Sequence, residues 1–255
     1  MRALRATMRG ALAEAWANRG GFWTQVAAML VNDAAWVAFW LLFFNRVGAV
    51  RGWDRGGVLL LLAILTTSAG LVLGLFANTR AIGRLAADGQ LDAALALPVP
   101  PLAHLLARRV EPVYLGDFAF GIVLFAVAGR PTPARLATFV VGVLAAALLL
   151  GGFLILTGSV SFFAGRNDAG ELSFHAMLLF ASYPADIFGG AGKLLLYTVV
   201  PAAFVGTVPA RLVETFEPGL AALALGVSLT FAVLGWAAFT LGLRRYSSGA
   251  VWTRG

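Results

Sequence analysis

The sequence predicts an all-α integral membrane protein with six transmembrane helices in one domain that covers residues 1–255. Of its 255 residues, 60% are hydrophobic and only 12% are charged, and the mean hydropathy is +0.86. Soluble domains are usually about 25% charged and about 45–50% apolar. The chain also contains several apolar runs of the length, about 20 residues, that a helix needs to cross a bilayer. These observations exclude a soluble globular protein.

Proline, glycine and arginine divide the apolar sequence into six predicted spans. They lie at 22–44, 58–78, 110–128, 134–164, 172–183 and 219–243. The fourth is long enough to tilt in the bilayer.

The apolar region at 184–218 differs from the spans because prolines and glycines interrupt it repeatedly. Proline inside a helix removes a hydrogen bond and clashes with the preceding turn. The uninterrupted piece 193–200 would measure only about 12 Å as a helix. We therefore predict an extracellular re-entrant hairpin of two short helices before the last span. Its characteristic residues are Tyr183, Pro184, Pro201 and Pro209.

The basic residues indicate the orientation. The formal net charge is +7, but the arginines lie mainly at the ends of apolar runs, which is typical of membrane topology and not of nucleic-acid binding. Most of them fall on the cytoplasmic side if both termini are cytoplasmic. Residues 1–20 predict an amphipathic helix on that membrane surface; a frayed tail is the alternative. Its apolar positions repeat every four residues: Leu4, Met8, Leu12 and Trp16.

The sequence offers no convincing catalytic or metal site. It contains no cysteine and two histidines, so thiolate metal sites and cysteine nucleophiles are excluded. The segment GGAGKL at 189–194 resembles a phosphate loop, but Ile187 stands where the first glycine belongs and Leu194 where a hydroxyl is needed. Ser159 or Ser161 with His175 would suggest intramembrane hydrolysis, although serines are common in membrane helix packing. We predict no catalytic residue and no metal.

Polar residues inside the spans mark a candidate translocation path, for which we select Asn32, Asp33 and His175. A charge at the depth of Asp33 costs about 2.5–3.5 kcal/mol even on the most lenient scale. Asp33 would line a substrate path, bind protons, or tie helices together with Asn32. Glu111 and Asp117 are predicted nearer the cytoplasmic boundary.

The segment 80–109 is predicted to be a cytoplasmic coupling loop. A short helix is expected at 89–97, with Asp88 and Asp92 near its amino end. Pro98 ends it, and Pro101 suits the first position of a second short helix that closes near Arg108 and Arg109. Neither helix is long enough to span lipid, so the loop is predicted to be a firm protrusion that transmits force from a soluble partner.

Four blocks of sequence resemble the permeases of ABC-2-type exporters. They are DGQLDAALALPVPPLAHLL at 88–106, LGDFAFGIVLF at 115–125, RGWDRGGVLLLLA at 51–63 and the region 182–213. The resemblance implies that the coupling helix contacts a separate ATPase chain. The residues assigned to this coupling are Asp88, Gly89, Gln90, Leu91, Asp92, Leu95 and Pro98.

The resemblance further implies a transmembrane subunit in the bacterial inner membrane that exports a hydrophobic or amphipathic substrate. The chain itself would bind no cofactor, because two ATPase subunits would bind ATP and Mg²⁺. The expected partners are these ATPases, a second permease subunit that is identical or homologous, and membrane lipids, with no nucleic acid. One alternative is a proton-coupled secondary transporter that uses its intramembrane carboxylates. A purely structural membrane scaffold is another.

Overall fold

The protein is a bundle of helices in a computed structural model that describes residues 9–10, 13, 19–165 and 169–246. Within these residues, helices are the regular elements, and one isolated antiparallel bridge joins Val50 and Trp53. The all-α class predicted from composition is confirmed. The predicted interfacial helix at 1–20 falls largely outside the described residues.

Five helices in the described part of the chain are long. They are α1 (Arg19–Val47), α2 (Arg55–Leu75), α6 (Leu115–Ala128), α7 (Pro133–Gly158) and α12 (Pro218–Leu243). Seven shorter helices within the same described ranges connect or flank them. They are α3 (Ile82–Ala87), α4 (Asp92–Leu95), α5 (Pro101–Ala107), α8 (Ser161–Ala164), α9 (Ala169–Ala181), α10 (Gly190–Thr198) and α11 (Thr207–Glu214).

Among the residues that the structure describes, four helical segments are long and apolar enough to cross a membrane: Gly21–Val47, Arg55–Leu75, Pro133–Ala164 and Pro218–Leu243. Two bent pairs raise the number to six if each pair forms one span. Pro101–Ala107 meets Pro112–Ala128 at 73°, and Gly190–Thr198 meets Ala202–Glu214 at 65°. The chain is therefore a multi-pass membrane protein with four to six spans.

The fifth predicted span, 172–183, lies largely in a helix that is too short for a full crossing. Its helix α9 has 13 residues, or about 20 Å at 1.5 Å per residue, against a hydrocarbon core of about 30 Å. Pro184 follows soon after the helix and begins a 3₁₀ turn at Ala185–Ile187. The apolar pattern alone did not distinguish a full crossing from a shorter apolar helix.

Capping residues fix several helix starts. Asp54 precedes α2 and accepts a hydrogen bond from the Gly57 amide at 2.9 Å. Thr132 precedes α7 and accepts one from the Arg135 amide at 3.2 Å, with Pro133 in the first turn. Such side chains satisfy amides that have no partner within the helix.

Helix α2 lies at the centre of the bundle. In its apolar stretch 78% of the residues are buried, compared with 11% in α1 and 17% in α12. It packs against α6 on one side and against α7 and α11 on others. The unburied surfaces of α1 and α12 are consequently available to lipid or to another membrane chain.

Glycines bring the central helices into backbone contact. A Cβ atom on Gly152 of α7 would stand 2.6 Å from the Ala232 amide nitrogen of α12. The facing Gly235 of α12 approaches the Gly152 carbonyl in the same way, and Gly121 of α6 fits against the Ala63 carbonyl of α2. Small residues allow this approach, and van der Waals contact then holds membrane helices together.

Gly152→Ala is expected to destabilise the bundle, because the new methyl group would collide with the backbone of α12 and force α7 away. Overpacking of this kind costs about 1–3 kcal/mol. Gly151→Ala is the matched control, since a Cβ atom there meets nothing within 4 Å. Thermal unfolding in detergent should show a lower midpoint for Gly152→Ala alone. Equal midpoints for the two variants would contradict the close α7–α12 contact.

Candidate functional site

The linker between α2 and α6, residues 76–114, folds into a compact protrusion. The coupling helix predicted at 89–97 is shorter than expected, because α4 covers only Asp92–Leu95. Gly89 has a φ of +71°, a conformation that favours glycine and belongs to a turn before the helix. Helix α5 begins at Pro101 as predicted. The end of the bundle that carries this linker is called the linker end below.

A small apolar core attaches the linker to the ends of two long helices. Leu91 and Leu105 are each 1% exposed. They pack in one cluster with Ile82, with Ile155 of α7 and with Phe239 of α12. Burying a leucine side chain is worth about 1.5–3 kcal/mol, so this protrusion is held firmly against the bundle.

Hydrogen bonds fasten both ends of the linker. The Asn78 side-chain amide, which is buried, donates to the Leu105 carbonyl at 2.8 Å. The Glu111 amide donates to the Gly74 carbonyl at 3.0 Å. These contacts join α5 and the start of the third span directly to the end of α2.

Ion pairs reinforce the same region. Glu111 pairs with Arg109 at 2.7 Å and with Arg80 at 3.1 Å. Arg80 also lies 3.9 Å from Glu171 at the start of α9 and 5.4 Å from the centre of the Phe174 ring. The Glu111 carboxylate is thus held by two arginines, one on each side of the linker.

The outward surface of the linker combines acids with exposed apolar side chains. Leu95 and Leu97 are each 44% exposed. Of the predicted coupling residues, Leu91 faces inward and Gly89 is half-buried; the others lie outward, namely Asp88, Gln90, Asp92, Leu95 and Pro98. The role of these residues in contacting a partner remains a prediction.

The linker also contacts the carboxyl end of the last span. Tyr246 packs against the small apolar core and follows α12. Burial and the neighbouring Asp92 carboxylate raise the pKa of the Tyr246 hydroxyl to about 12. The Tyr246 hydroxyl is therefore neutral at ordinary pH beside the acid of α4.

A cavity of about 210 Å³ lies inside the bundle between α1, α2, α6 and α9. Apolar side chains form much of its wall, together with aromatic rings and two acids. Its polar and aromatic lining includes Asn32, Asp33, Trp36, Tyr114, Asp117 and Phe120. Asn32 and Asp33, which the sequence indicated, therefore both line this cavity.

Asp117 lies in a different environment from the one predicted. It is 8% exposed and faces the same cavity as Asp33, which is 7% exposed. The Oδ2 atom of Asp33 and the Oδ1 atom of Asp117 have no hydrogen-bond partner in the described part of the chain. The sequence missed this site residue because Asp117 falls in the first turns of the predicted third span, which suggested a hydrated boundary. In the structure, α6 follows the turn at 112–114 and packs against α2, which buries Asp117.

His175 does not join this cavity. Its side chain is 68% exposed, and its Nδ1 atom lies 2.8 Å from the Glu171 carbonyl oxygen one turn earlier. Ser159 donates to the Ile155 carbonyl at 2.6 Å, so its hydroxyl is engaged within its own helix. No hydrogen bond joins His175 to Ser159 or Ser161 within the described ranges, and the placement gives no support to hydrolysis.

A larger cavity of about 880 Å³ opens at the linker end. Arg80, Arg108, Arg109 and Glu111 contribute its charged lining. Met29 and Tyr114 line both cavities. The two spaces therefore adjoin, and the larger one is called the vestibule below.

The opposite end of the bundle contains the predicted hairpin region. Helices α10 and α11 meet at the bend measured above, a geometry that fits either a broken span or a re-entrant loop; re-entrant insertion stays a prediction. Tyr183 packs edge-to-face on Trp36 and Trp40 of α1, with ring centres 5.5 and 5.6 Å away. Pro184 and Pro201 each precede a 3₁₀ turn, and Pro209 is buried in α11.

A charged clasp centred on Asp186 joins the hairpin to the α1–α2 loop. The Asp186 carboxylate accepts hydrogen bonds from the Trp53 ring at 3.0 Å and from Lys193 at 2.7 Å. Arg51 donates to the backbone carbonyl of Asp186 at 3.2 Å, and Arg211 lies 4.1 Å from the centre of the Trp53 ring. Partial burial opposes ionisation of Asp186, but the bonds from Lys193 and Trp53 outweigh it and lower its pKa.

The described residues contain no group of three or more histidine, aspartate or glutamate side chains that could hold a metal ion. The chemistry available in the described region is therefore that of buried carboxylates, aromatic rings and arginines. This inventory suits binding and movement of a solute.

Comparison with known families identifies a match over most of the chain. Residues 30–250 match the family model described as ABC-2 family transporter protein. Among the described residues, this range includes Arg55–Leu75, Pro133–Ala164 and Pro218–Leu243 completely and Gly21–Val47 from residue 30 onward. It also includes both bent pairs, the linker and the hairpin region. No curated protein and no solved structure matches the chain significantly.

Asp186→Asn is expected to loosen the hairpin, because the amide lacks the charge that holds Lys193 and Arg211. Hydrogen exchange over 186–198 should accelerate about fivefold at pH 7, as for the loss of a partly exposed charged contact. Since the pKa of Asp186 in the folded protein lies below its ordinary 3.8, the clasp contributes fully above that pH and is lost as the pH falls through the lower value. Glu217→Gln, at an exposed acid, is the control. Exchange that is unchanged by Asp186→Asn would contradict the clasp.

Proposed function

Because the chain belongs to the ABC-2 family of transporter proteins, we propose that it is the transmembrane permease subunit of an ATP-binding cassette exporter. It carries a hydrophobic or amphipathic substrate across the bacterial inner membrane. A separate nucleotide-binding chain binds ATP and Mg²⁺ and hydrolyses the nucleotide. The permease itself performs no chemical reaction.

The observation that carries the proposal is the two-sided construction of the linker. Leu91 and Leu105 anchor it inward to the ends of α7 and α12, while Leu95 and Leu97 are exposed outward. An exposed apolar pair on a rigid protrusion is suited to fit a pocket on a soluble partner. Rigidity matters because only a firm segment passes a displacement on to the helices behind it.

The complex contains two ATPase subunits and two permeases that are identical or homologous. The largely unburied faces of α1 and α12 support a second permease or lipid as their neighbour. Both termini and the linker face the cytoplasm, where the ATPases reside. With this orientation the Asp186 clasp lies on the extracellular side.

Transport follows from these contacts. Closure of the ATPases on ATP displaces the linker, and the small apolar core transmits the movement to α7 and α12. Substrate enters through the vestibule at the linker end and reaches the cavity between α1, α2, α6 and α9. Movement of the hairpin away from the α1–α2 loop, with the clasp of Asp186 opened, provides the exit.

A proton-coupled secondary transporter is the second candidate. The buried carboxylates of Asp33 and Asp117, each with one unpaired oxygen, are the observation that favours it. Intramembrane acids of this kind occur in proton relays. In that case the linker would need no partner.

Leu95→Asp is expected to uncouple the permease from its ATPase. The substitution places a charge in the apolar contact without touching the fold, since the side chain is exposed. Loss of one central apolar contact should weaken ATPase binding about tenfold or more. Leu95→Met, which keeps the apolar contact, is the matched control. Co-purification and substrate-stimulated ATP hydrolysis are the measurements, and full coupling in Leu95→Asp would contradict the assignment of the linker.

Reconstitution of the chain alone separates the two candidates. In vesicles without the ATPase, an imposed proton gradient is expected to drive no accumulation of an amphipathic probe, because an exporter subunit needs ATP-driven displacement of its linker. Addition of the ATPase and ATP should restore transport. Gradient-driven uptake by the chain alone would favour the secondary transporter.

A further inference from the structure

Two buried carboxylates share the intramembrane cavity without enough partners to satisfy them. Asp33 and Asp117 are both more than nine-tenths buried, and both line the same 210 Å³ space. One oxygen of each lacks a hydrogen-bond partner within the described residues. Arg109 and Arg80 at the linker end are occupied by Glu111. The cavity therefore offers uncompensated acceptors to whatever enters it.

A cation is the chemical complement of this site. Burying an ionised carboxylate without a partner costs several kcal/mol, and an opposite charge in the same low-dielectric space offsets that cost. The two acids lie on different helices, α1 and α6, so a ligand between them would contact both. A neutral ligand without hydrogen-bond donors would leave both carboxylates unsatisfied.

The remaining lining favours an organic cation over a bare metal ion. Trp36, Tyr114 and Phe120 contribute ring surfaces, and aromatic faces attract ammonium groups. Much of the rest of the wall is apolar. Hard cations instead require six or more oxygen ligands, and no cluster of three acids or histidines is present in the described ranges.

The adjoining vestibule provides a route of entry. It shares Met29 and Tyr114 with the acidic cavity, so a solute from the linker end meets the ring of Tyr114 before the two carboxylates. The apolar part of an amphipathic molecule would remain among the leucines of α2.

We propose that Asp33 and Asp117 bind the positively charged group of an amphipathic organic cation, and that such cations are the substrates of this transporter. The inference rests on the proposed function and specifies the substrate class within it. Asp33 and Asp117 supply charge, and the aromatic residues supply the surface for the head group.

The test compares two probes of the same shape that differ in charge. Benzyltrimethylammonium is the cation, and neopentylbenzene, with carbon in place of nitrogen, is the neutral isostere. Binding to the full chain in lipid nanodiscs is measured for the wild type, Asp33→Asn and Asp117→Asn. Glu217→Gln is the control because it removes an equal charge at an exposed position.

The wild type should bind the cation more tightly than the isostere, and each asparagine variant should lose about tenfold of the cation affinity. Glu217→Gln should bind as the wild type does, and binding of neopentylbenzene should be the same in all four proteins. The asparagine variants should also melt at or above the wild-type temperature, since removal of an unpaired buried charge relieves its desolvation cost.

Three results would overturn the proposal: equal affinity for both probes, cation affinity unchanged in both asparagine variants, or clear destabilisation of either variant, which would make the carboxylate a structural partner. None of these bears on coupling to an ATPase. Conversely, Leu95→Asp should retain cation binding, so a failure of the proposed function is recognised separately.

Discussion

Close packing of α2 against its neighbours is the constraint on which the other features depend. Lipid is as apolar as leucine, so the hydrophobic effect does little to hold membrane helices together, and close van der Waals contact must do so. Gly70 of α2 and Gly121 of α6 permit that contact by letting the two backbones approach where any side chain would intrude. The cavity, the linker core and the hairpin are all arranged around the axis that this packing fixes.

The same packing connects the two ends of the molecule. The linker core rests on Ile155 and Phe239, near the ends of α7 and α12, and these two helices contact each other closely through Gly152 and Gly235. A displacement of the linker therefore acts on a rigid pair of helices. At the other end, α11 packs against α7 as well. The hairpin is therefore attached to the same pair of helices as the linker.

Polar groups within the bundle follow a clear division. Hydroxyls such as those of Thr67 and Ser228 donate to carbonyls one turn earlier in their own helices. The hydrogen of each hydroxyl therefore already has an acceptor. Glu111 is satisfied by two arginines. Asp33 and Asp117 alone among the described acids combine near-complete burial with an unpaired oxygen, which is why the substrate proposal centres on them.

The sequence by itself determined the all-α membrane class, the linker with its second helix at Pro101, and the placement of Asn32 and Asp33 inside the membrane. These follow from composition, apolar run length and proline chemistry, which are local properties. The tertiary structure decided what depends on contacts between distant residues. These features are the short lengths of α4 and α9, the exposure of His175, and the position of Asp117 in the same cavity as Asp33. The direction in which α6 leaves the bend at 112–114 is set by packing against Gly70 and the rest of α2, and no pattern along one chain segment encodes that direction.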